Sequence, residues 1–190
     1  MLKRCVDVLV ALVAFVVLFP FLLILMLITA LTSNGRVFYK QERIGYKGKP
    51  FTMYKLVSMY PDAEKYGPKL WVEGDPRQTK WGAFMRKRRF DELPQLWNIL
   101  KGDMSIVGST RPERKFYIDQ LVKQAPDYLK LLEVKPGLVS KGIVEFGYAS
   151  SIDDMQTRMQ HDLIYLNNPS PFKDVVILMK AVWKVLMGRG

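Results

Sequence analysis

The chain has 190 residues, with 29 Lys and Arg against 18 Asp and Glu, giving a formal charge of +11. Once an apolar anchor of about 30 residues is set aside, this length holds one compact domain and excludes a second catalytic one. A single cysteine, Cys5, excludes an intrachain disulfide, and a single histidine, His161, leaves a conventional zinc site poorly supported.

Val8 to Ile28 is apolar throughout, with Pro20 near its middle. The run is longer than the apolar core of a signal peptide and lacks a small-residue cleavage site before a polar start. At 1.5 Å per residue it reaches about 31 Å, near the hydrocarbon thickness of a bilayer. Pro20 removes a helical donor and crowds the preceding turn, dividing the run into two arms of about 18 Å each. Lys3 and Arg4 precede the run; Arg36, Lys40 and Arg43 follow it. If both basic flanks prefer one face of the membrane, the chain enters and leaves on the same side, as a bend at Pro20 permits. Spanning helices also tolerate proline, so a straight span and a re-entrant hairpin both stand on physics alone.

Residues 1 to 60 hold eight Lys or Arg against Asp7 and Glu42. Such a collar suits an anionic phospholipid membrane, each cation gaining roughly 1 kcal/mol near the headgroups. No recognition motif accompanies the charge, so nucleic acid is not an expected partner.

Leu31 to Gly35 reads as a stop and turn. The stretches Arg36 to Gly45 and Phe51 to Leu56 read as strands of a small hairpin around the Gly45 to Pro50 turn. The turn's Gly-x-x-Gly-Lys lacks the spacing of a nucleotide P-loop. Pro61 to Lys80, with Pro61, Gly67 and Pro68, is a long polar surface connection of the kind that carries ligand contacts.

Candidate chemistry is densest from Trp81 to Leu100. Gly82 to Arg89 predicts a helix, and Asp91, Glu92 and Pro94 mark the first turn of a second helix running to Leu100. Two acidic residues there are ordinary partners of a helix dipole. Set against Arg86, Lys87, Arg88 and Arg89, they also have the counter-charge that lowers a carboxylate's pKa, within a clamp for an anionic substrate. A carboxylate so placed can attack phosphorus while its neighbour holds a divalent metal; spacing does not assign the two roles.

Gly102 ends that helix, Ile106 and Val107 predict a short buried strand, and Gly108 to Arg111 a loop feeding a helix that Pro112 opens. Arg111 and the loop's backbone donors make a candidate phosphate site, or an unoccupied capping loop. Leu121 to Glu133 predicts one helix, Val134 to Leu138 a turn, and Gly137, Gly142 and Gly147 a loop reaching Ala149. Ser151 and Asp154 form a capping pair for a helix toward Leu166. From Phe172 to Met187, apolar residues with Trp183 stand against Lys173, Lys180 and Lys184, the pattern of an interfacial amphipathic helix or one buried on the domain.

Nearly the whole chain resembles the monotopic phosphoglycosyl transferases, small bacterial sugar transferases that move a phosphosugar onto a polyprenyl phosphate. The resemblance runs through Lys3-Arg4 with Asp7, the proline-broken segment, Gln41-Glu-Arg43-Ile-Gly45, Asp75-Pro-Arg77-Gln-Thr79, Arg86, Asp91-Glu92-Leu-Pro94-Gln95-Leu, Lys101-Gly-Asp103-Met-Ser105, Arg111-Pro112 and Lys135-Pro-Gly137. It implies an α+β fold: a proline-broken re-entrant membrane helix hairpin over 1–34, then a cytoplasmic catalytic domain over 35–190. That domain would comprise a small β-hairpin and a compact helical body with interfacial amphipathic helices.

The implied chemistry is ping-pong, with Mg2+, at the cytoplasmic face of the bacterial plasma membrane. Asp91 matches the nucleophile that attacks the β-phosphorus of a UDP-sugar and expels UMP. Polyprenyl (undecaprenyl) phosphate then takes the phosphosugar. Glu92 matches the companion carboxylate implicated in metal binding, so Asp91 and Glu92 are the metal candidates, and Arg86 and Arg111 match phosphate-binding arginines. A homodimer is compatible with the sequence, which does not set oligomeric state.

Three positions depart from the family pattern: Phe19 stands where Ser commonly precedes the helix-breaking Pro20, the loop Gly108 to Pro112 is one residue longer, and Arg89-Phe90 replaces Ser-Leu before the acidic pair. A membrane adaptor without chemistry and a conventional glycosyltransferase releasing UDP are the alternatives; product identity separates them. The sequence does not name the sugar.

Overall fold

The computed structural model describes residues 2–65, 67, 69, 70, 72 and 74–188. Pro68 of the polar connection lies outside them. The architecture is a helix-rich domain with two small sheets and one apolar N-terminal helix, α1 (Leu2–Thr32). Its most apolar 18-residue window has a mean hydropathy of 3.3, so the helix is long and apolar enough to cross a membrane. Pro20 lies inside this one continuous helical element.

The predicted hairpin forms as β1 (Phe38–Ile44) and β2 (Pro50–Leu56), antiparallel with Phe38 opposite Leu56 and Ile44 opposite Pro50. Lys47 and Gly48 turn the corner at φ 56° and 70° within a 3-10 turn. Helix α2 (Lys80–Lys87) is capped by the Thr79 hydroxyl, which accepts from the Gly82 N–H. A Cβ at Gly82 would lie 1.9 Å from the Ser58 carbonyl oxygen, so only glycine lets α2 dock this closely.

Several boundaries differ from the sequence expectation. The chain leaves α2 at Arg88, and Arg89 takes the left-handed conformation; Phe90–Glu92 then form a 3-10 turn ahead of α3 (Gln95–Lys101). The acidic pair therefore occupies a separate turn rather than the first turn of α3. The helix expected over Leu121 to Glu133 is two, α4 (Lys115–Gln124) and α5 (Tyr128–Leu132). Pro126 disfavours helical backbone at Ala125 and offers no N–H of its own, which divides them. Pro112 opens no helix directly: α4 begins at Lys115, and Glu113 bridges back to Ile44 of β1.

The strand expected at Ile106 and Val107 is β3 (Ser105–Val107). It pairs in parallel with β4 (Gly137–Val139), part of which was expected to be a turn. At the mouth of this pair, a Cβ on Gly108 would come within 2.1 Å of the Gly137 nitrogen. The glycine loop beyond holds a short helix, α6 (Lys141–Glu145), capped by Ser140. Helices α7 (Ile152–Leu166) and α8 (Pro171–Leu186) follow, capped by Ser151 and Ser170. On α8, Phe172, Val175, Met179, Trp183 and Leu186 are exposed while Ile177 is buried.

Three buried clusters hold these elements. Tyr117, Leu121, Tyr128, Leu131, Met155 and Met159 join α4, α5 and α7. Ala11 of α1 packs with Leu96, Ile99, Met104, Ile106 and Ile177. Farther along α1, Leu22 and Leu25 pack on Leu56 and Met85.

Polar contacts fix α1 at both ends. Arg4 donates to the carbonyls of Ile99 (2.5 Å) and Leu100 (2.9 Å), satisfying the end of α3. Buried Asp7 accepts from the Ser105 hydroxyl at 2.7 Å and the Ile106 N–H at 3.1 Å. At the far end, Thr29 accepts from the Trp81 indole at 3.0 Å. Asp7→Leu would make α1 more apolar yet strand a buried N–H and hydroxyl. It should lower unfolding stability in detergent by about 2 kcal/mol; an unchanged thermal midpoint would contradict this role.

Candidate active site

Strand β2 alternates so that Met53 and Lys55 are buried, and Lys55 reaches the turn carrying the acidic pair. Asn98 of α3 fixes β2 from behind: its amide accepts from the Tyr54 N–H at 3.2 Å and donates to the Thr52 carbonyl at 2.7 Å. The left-handed backbone at Arg89 reverses the chain, and Asp91 and Glu92 end up 3% and 4% exposed. Arg111 arrives from the opposite side, on the loop that begins at the close Gly108–Gly137 contact.

Glu92 is the hub. Its Oε1 accepts from Lys55 Nζ at 2.8 Å and from Arg111 Nη2 at 2.9 Å; Oε2 lies 3.6 Å from Arg89 Nη1. Burial opposes the Glu92 charge, but Arg111, Lys55 and Arg89 outweigh it and hold the carboxyl well below its usual range. None of these hydrogen bonds goes to Asp91. Burial raises the Asp91 carboxyl, with Glu92 adding to the effect and Lys55, Arg86 and Arg111 opposing it. The two adjacent carboxyls are thus shifted in opposite directions, Glu92 downward by its three cations and Asp91 upward by burial. Burial likewise pushes the Lys55 ammonium down to about 8, against the pull of Glu92.

The structure therefore brings together four of the residues singled out in the sequence: Asp91, Glu92, Arg86 and Arg111. Pro20 stands apart on α1, although its neighbour Phe21 packs edge-on against Phe90, ring centroids 5.0 Å apart. Lys55 was counted in the sequence only as part of the basic collar; its phase with inward Met53 was the available signal. Tyr148 had no signal: the Arg89 and Arg111 guanidiniums lie over its ring at 4.5 and 5.0 Å from the centroid. The Arg111 loop is braced by Glu113, which accepts from Arg43 at 2.9 Å and Arg158 at 2.8 Å.

Two cavities meet here. One, of about 390 Å³, is basic with a mixed polar and apolar lining, including Lys55, Arg77, Arg111, Arg114 and Arg158 beside Leu56, Met59 and Met155. The second, of about 1040 Å³, is a mainly apolar groove between α1, α6 and α8, lined by Leu18, Phe21, Val144 and Val182 and rimmed by Lys87, Arg88, Arg89 and Lys184. Arg86 and Tyr148 line both.

Among the described residues, no three His, Cys, Asp or Glu side chains form a metal-binding group. The donors present still suit a hard divalent cation that takes most of its oxygens from substrate and water. Asp91 is a buried carboxylate with an incompletely offset charge, and Glu92 adjoins it.

A family model described as "Bacterial sugar transferase" matches residues 1–188. Similar proteins include the UDP-N-acetylgalactosamine-undecaprenyl-phosphate N-acetylgalactosaminephosphotransferase of Aeromonas hydrophila, 38% identical over 189 residues, covering 100% of this chain and 44% of that protein. The exopolysaccharide production protein ExoY of Rhizobium meliloti is 35% identical over 205 residues, covering 100% of this chain and 88% of its own. The UDP-glucose:undecaprenyl-phosphate glucose-1-phosphate transferase of Escherichia coli K12 is 33% identical over 186 residues, covering 97% of this chain. The chain spans 44% and 40% of the Aeromonas and Escherichia proteins. With the family pattern matched along nearly its full length, this chain belongs to the bacterial sugar transferase family.

Proposed function

We propose that this chain transfers a phosphosugar from a UDP-sugar to undecaprenyl phosphate, yielding a polyprenyl diphosphosugar and UMP. The observation that carries the reading is the meeting of a basic chamber and a mainly apolar groove at Arg86 and Tyr148, with Glu92 lining the groove and buried Asp91 next to it in the chain. A soluble nucleotide sugar suits the first, and a polyprenyl chain with a phosphate head suits the second.

In the first half-reaction an Asp91 carboxylate oxygen bonds to the β-phosphorus. The bond from that phosphorus to the bridging oxygen breaks, and its electron pair leaves with UMP. In the second, an oxygen of the lipid phosphate dianion bonds to the same phosphorus, and the acyl-phosphate bond breaks back to the Asp91 carboxylate. Arg86 and Arg111 bind and orient phosphate oxygens; Lys55 and Arg111 keep Glu92 anionic beside the nucleophile. Asp91 and Glu92 would hold Mg2+, which when bound supplies neutralisation of the charge developing on the departing UMP.

The membrane reading is a re-entrant α1 bent at Pro20, entering from the cytoplasmic face of the bacterial plasma membrane, with 1–34 as anchor and 35–190 as catalytic domain. Its support is that α1 touches the same domain near both ends, at Arg4 and Asp7 and again at Thr29, which a helix crossing the bilayer perpendicular to that domain does not do. Its exposed flank, including Leu9, Val13, Val17, Ile24 and Leu27, and the exposed face of α8 would meet lipid, while the basic collar meets anionic headgroups. UDP-N-acetylgalactosamine and UDP-glucose, the donors named in two relatives, are the first sugars to try.

Purified protein in nanodiscs with Mg2+ and a panel of UDP-sugars should release a single equivalent of UMP per enzyme without lipid, and sustained UMP release should require undecaprenyl phosphate. UDP as the product would favour conventional glycosyl transfer. Asp91→Asn should lower turnover by more than about 10³-fold; near-native rates would remove Asp91 from the nucleophile's place. Glu92→Gln leaves Lys55, Arg111 and Arg89 without their shared anion, and should cost about 3 kcal/mol of stability as well as Mg2+-dependent turnover. Calorimetric unfolding and metal titration read the two effects separately.

Activity should also depend on pH in a stated direction. Asp91 acts deprotonated, so the rate falls as pH drops through its raised pKa. Lys55 acts protonated, so the rate falls as pH rises through about 8. Lys55→Met should remove the alkaline limb and lower the plateau; persistence of a limb near 8 would assign it to another group.

A further inference from the structure

We propose that Arg89 is the receptor for the acceptor lipid's phosphate and that Tyr148 is the positioning residue holding it apart from the donor's arginine; this rests on the transfer reaction above. The two cavities separate Arg111 from Arg89. Arg111 lines the basic chamber and Arg89 the apolar groove, while Arg86 and Tyr148 line both and the Tyr148 ring carries the Arg89 and Arg111 guanidiniums over its face. Tyr148 thus forms part of the wall between donor and acceptor.

The two arginines are bound unequally. Arg111 is committed to Glu92 by a 2.9 Å hydrogen bond. Arg89 lies 3.6 Å from the other carboxylate oxygen, beyond hydrogen-bonding distance, and its side chain is 16% exposed. A guanidinium held by a ring face and a loose ion contact can offer its edge to a phosphate with little to break. The groove beyond it is apolar, with Leu138, Val139, Val144 and Val182, while Arg89 shares the rim with Lys87, Arg88 and Lys184, so a phosphate carried on a lipid chain seated in the groove meets cations at its mouth. Arg89 also keeps a left-handed backbone, φ 53° and ψ 22°, which disfavours any side chain bearing a Cβ.

Initial rates measured against undecaprenyl phosphate and the UDP-sugar separately test the assignment. Arg89→Gln should raise KM for undecaprenyl phosphate about tenfold and KM for the UDP-sugar less than twofold. Tyr148→Leu should follow it in direction, whereas Tyr148→Phe, which keeps the ring, should restore values within twofold of the parent. A larger effect on the donor KM, a fall in kcat with both KM values unchanged, or a Phe variant as impaired as Leu would overturn the proposal. Direct binding of undecaprenyl phosphate in nanodiscs keeps the test independent of turnover. If the parent released no UMP, the transfer reading would fail, while a lipid affinity weakened by Arg89→Gln would still uphold the subsite. Equal weakening on phosphatidylglycerol vesicles lacking undecaprenyl phosphate would assign Arg89 to the bulk headgroup layer and overturn it. Arg89→Lys, compared at matched thermal stability, guards against misfolding: it should keep part of the acceptor affinity.

Discussion

The buried carboxylate of Glu92 is the constraint around which the rest of the molecule is arranged. Taking an anion and the cations of Lys55 and Arg111 out of water costs several kcal/mol per ion unless the geometry of each contact is good. Every nearby element contributes to that geometry. Strand β2 delivers Lys55 on its inward face, Asn98 fixes the strand's register against α3, and the close passage of Gly108 past Gly137 delivers Arg111. Glu113, held between Arg43 and Arg158, repeats the same device one layer out and steadies the Arg111 loop. The cluster does little for stability that well-packed apolar side chains would not do as well. What it does supply is a dense, preorganised positive field around an adjacent carboxylate, the environment phosphoryl transfer needs.

The apolar helix belongs to the same arrangement. Arg4 satisfies carbonyls at the end of α3, Asp7 holds the start of β3, and Phe21 packs on Phe90, the residue before Asp91. The apolar helix and the candidate site are therefore packed directly on one another. On the proposed membrane reading, Pro20 and the reactive pair sit at neighbouring depths, and a lipid phosphate reaches the groove without leaving the headgroup layer.

Local signals carried far in this chain. The Gly45 to Pro50 turn and its flanking aromatic residues located the hairpin, and Ser151 was read as a cap, whereas Thr79 and Ser170, caps of the same chemistry, were passed over. Asp91, Glu92, Arg86 and Arg111 stood out because their charges cluster along the chain or flank glycine and proline. The misses have a common cause, since they depend on partners distant in sequence. The parallel β3–β4 pair joins segments 32 residues apart at Ser105 and Gly137, and neither strand alone has a periodicity to announce it. Lys55 looked like one more surface cation until Glu92 was placed beside it. Tyr148 follows Gly147, whose φ of 101° turns the chain, and only the fold brings its ring to the two arginines. The division at Ala125 was legible from Pro126, and the helical reading of the flanking residues overrode it.

The central claim is that Asp91 becomes covalently phosphorylated by the sugar phosphate before the lipid reacts. Intact-protein mass spectrometry after brief incubation with Mg2+ and a competent UDP-sugar, in the absence of undecaprenyl phosphate, measures this directly. The account predicts an added mass equal to the phosphosugar, located on the peptide containing Asp91, discharged on adding undecaprenyl phosphate and missing in Asp91→Asn. Full lipid-dependent turnover with no such adduct at any time, in rapidly quenched samples, would contradict it and favour direct transfer between the two substrates.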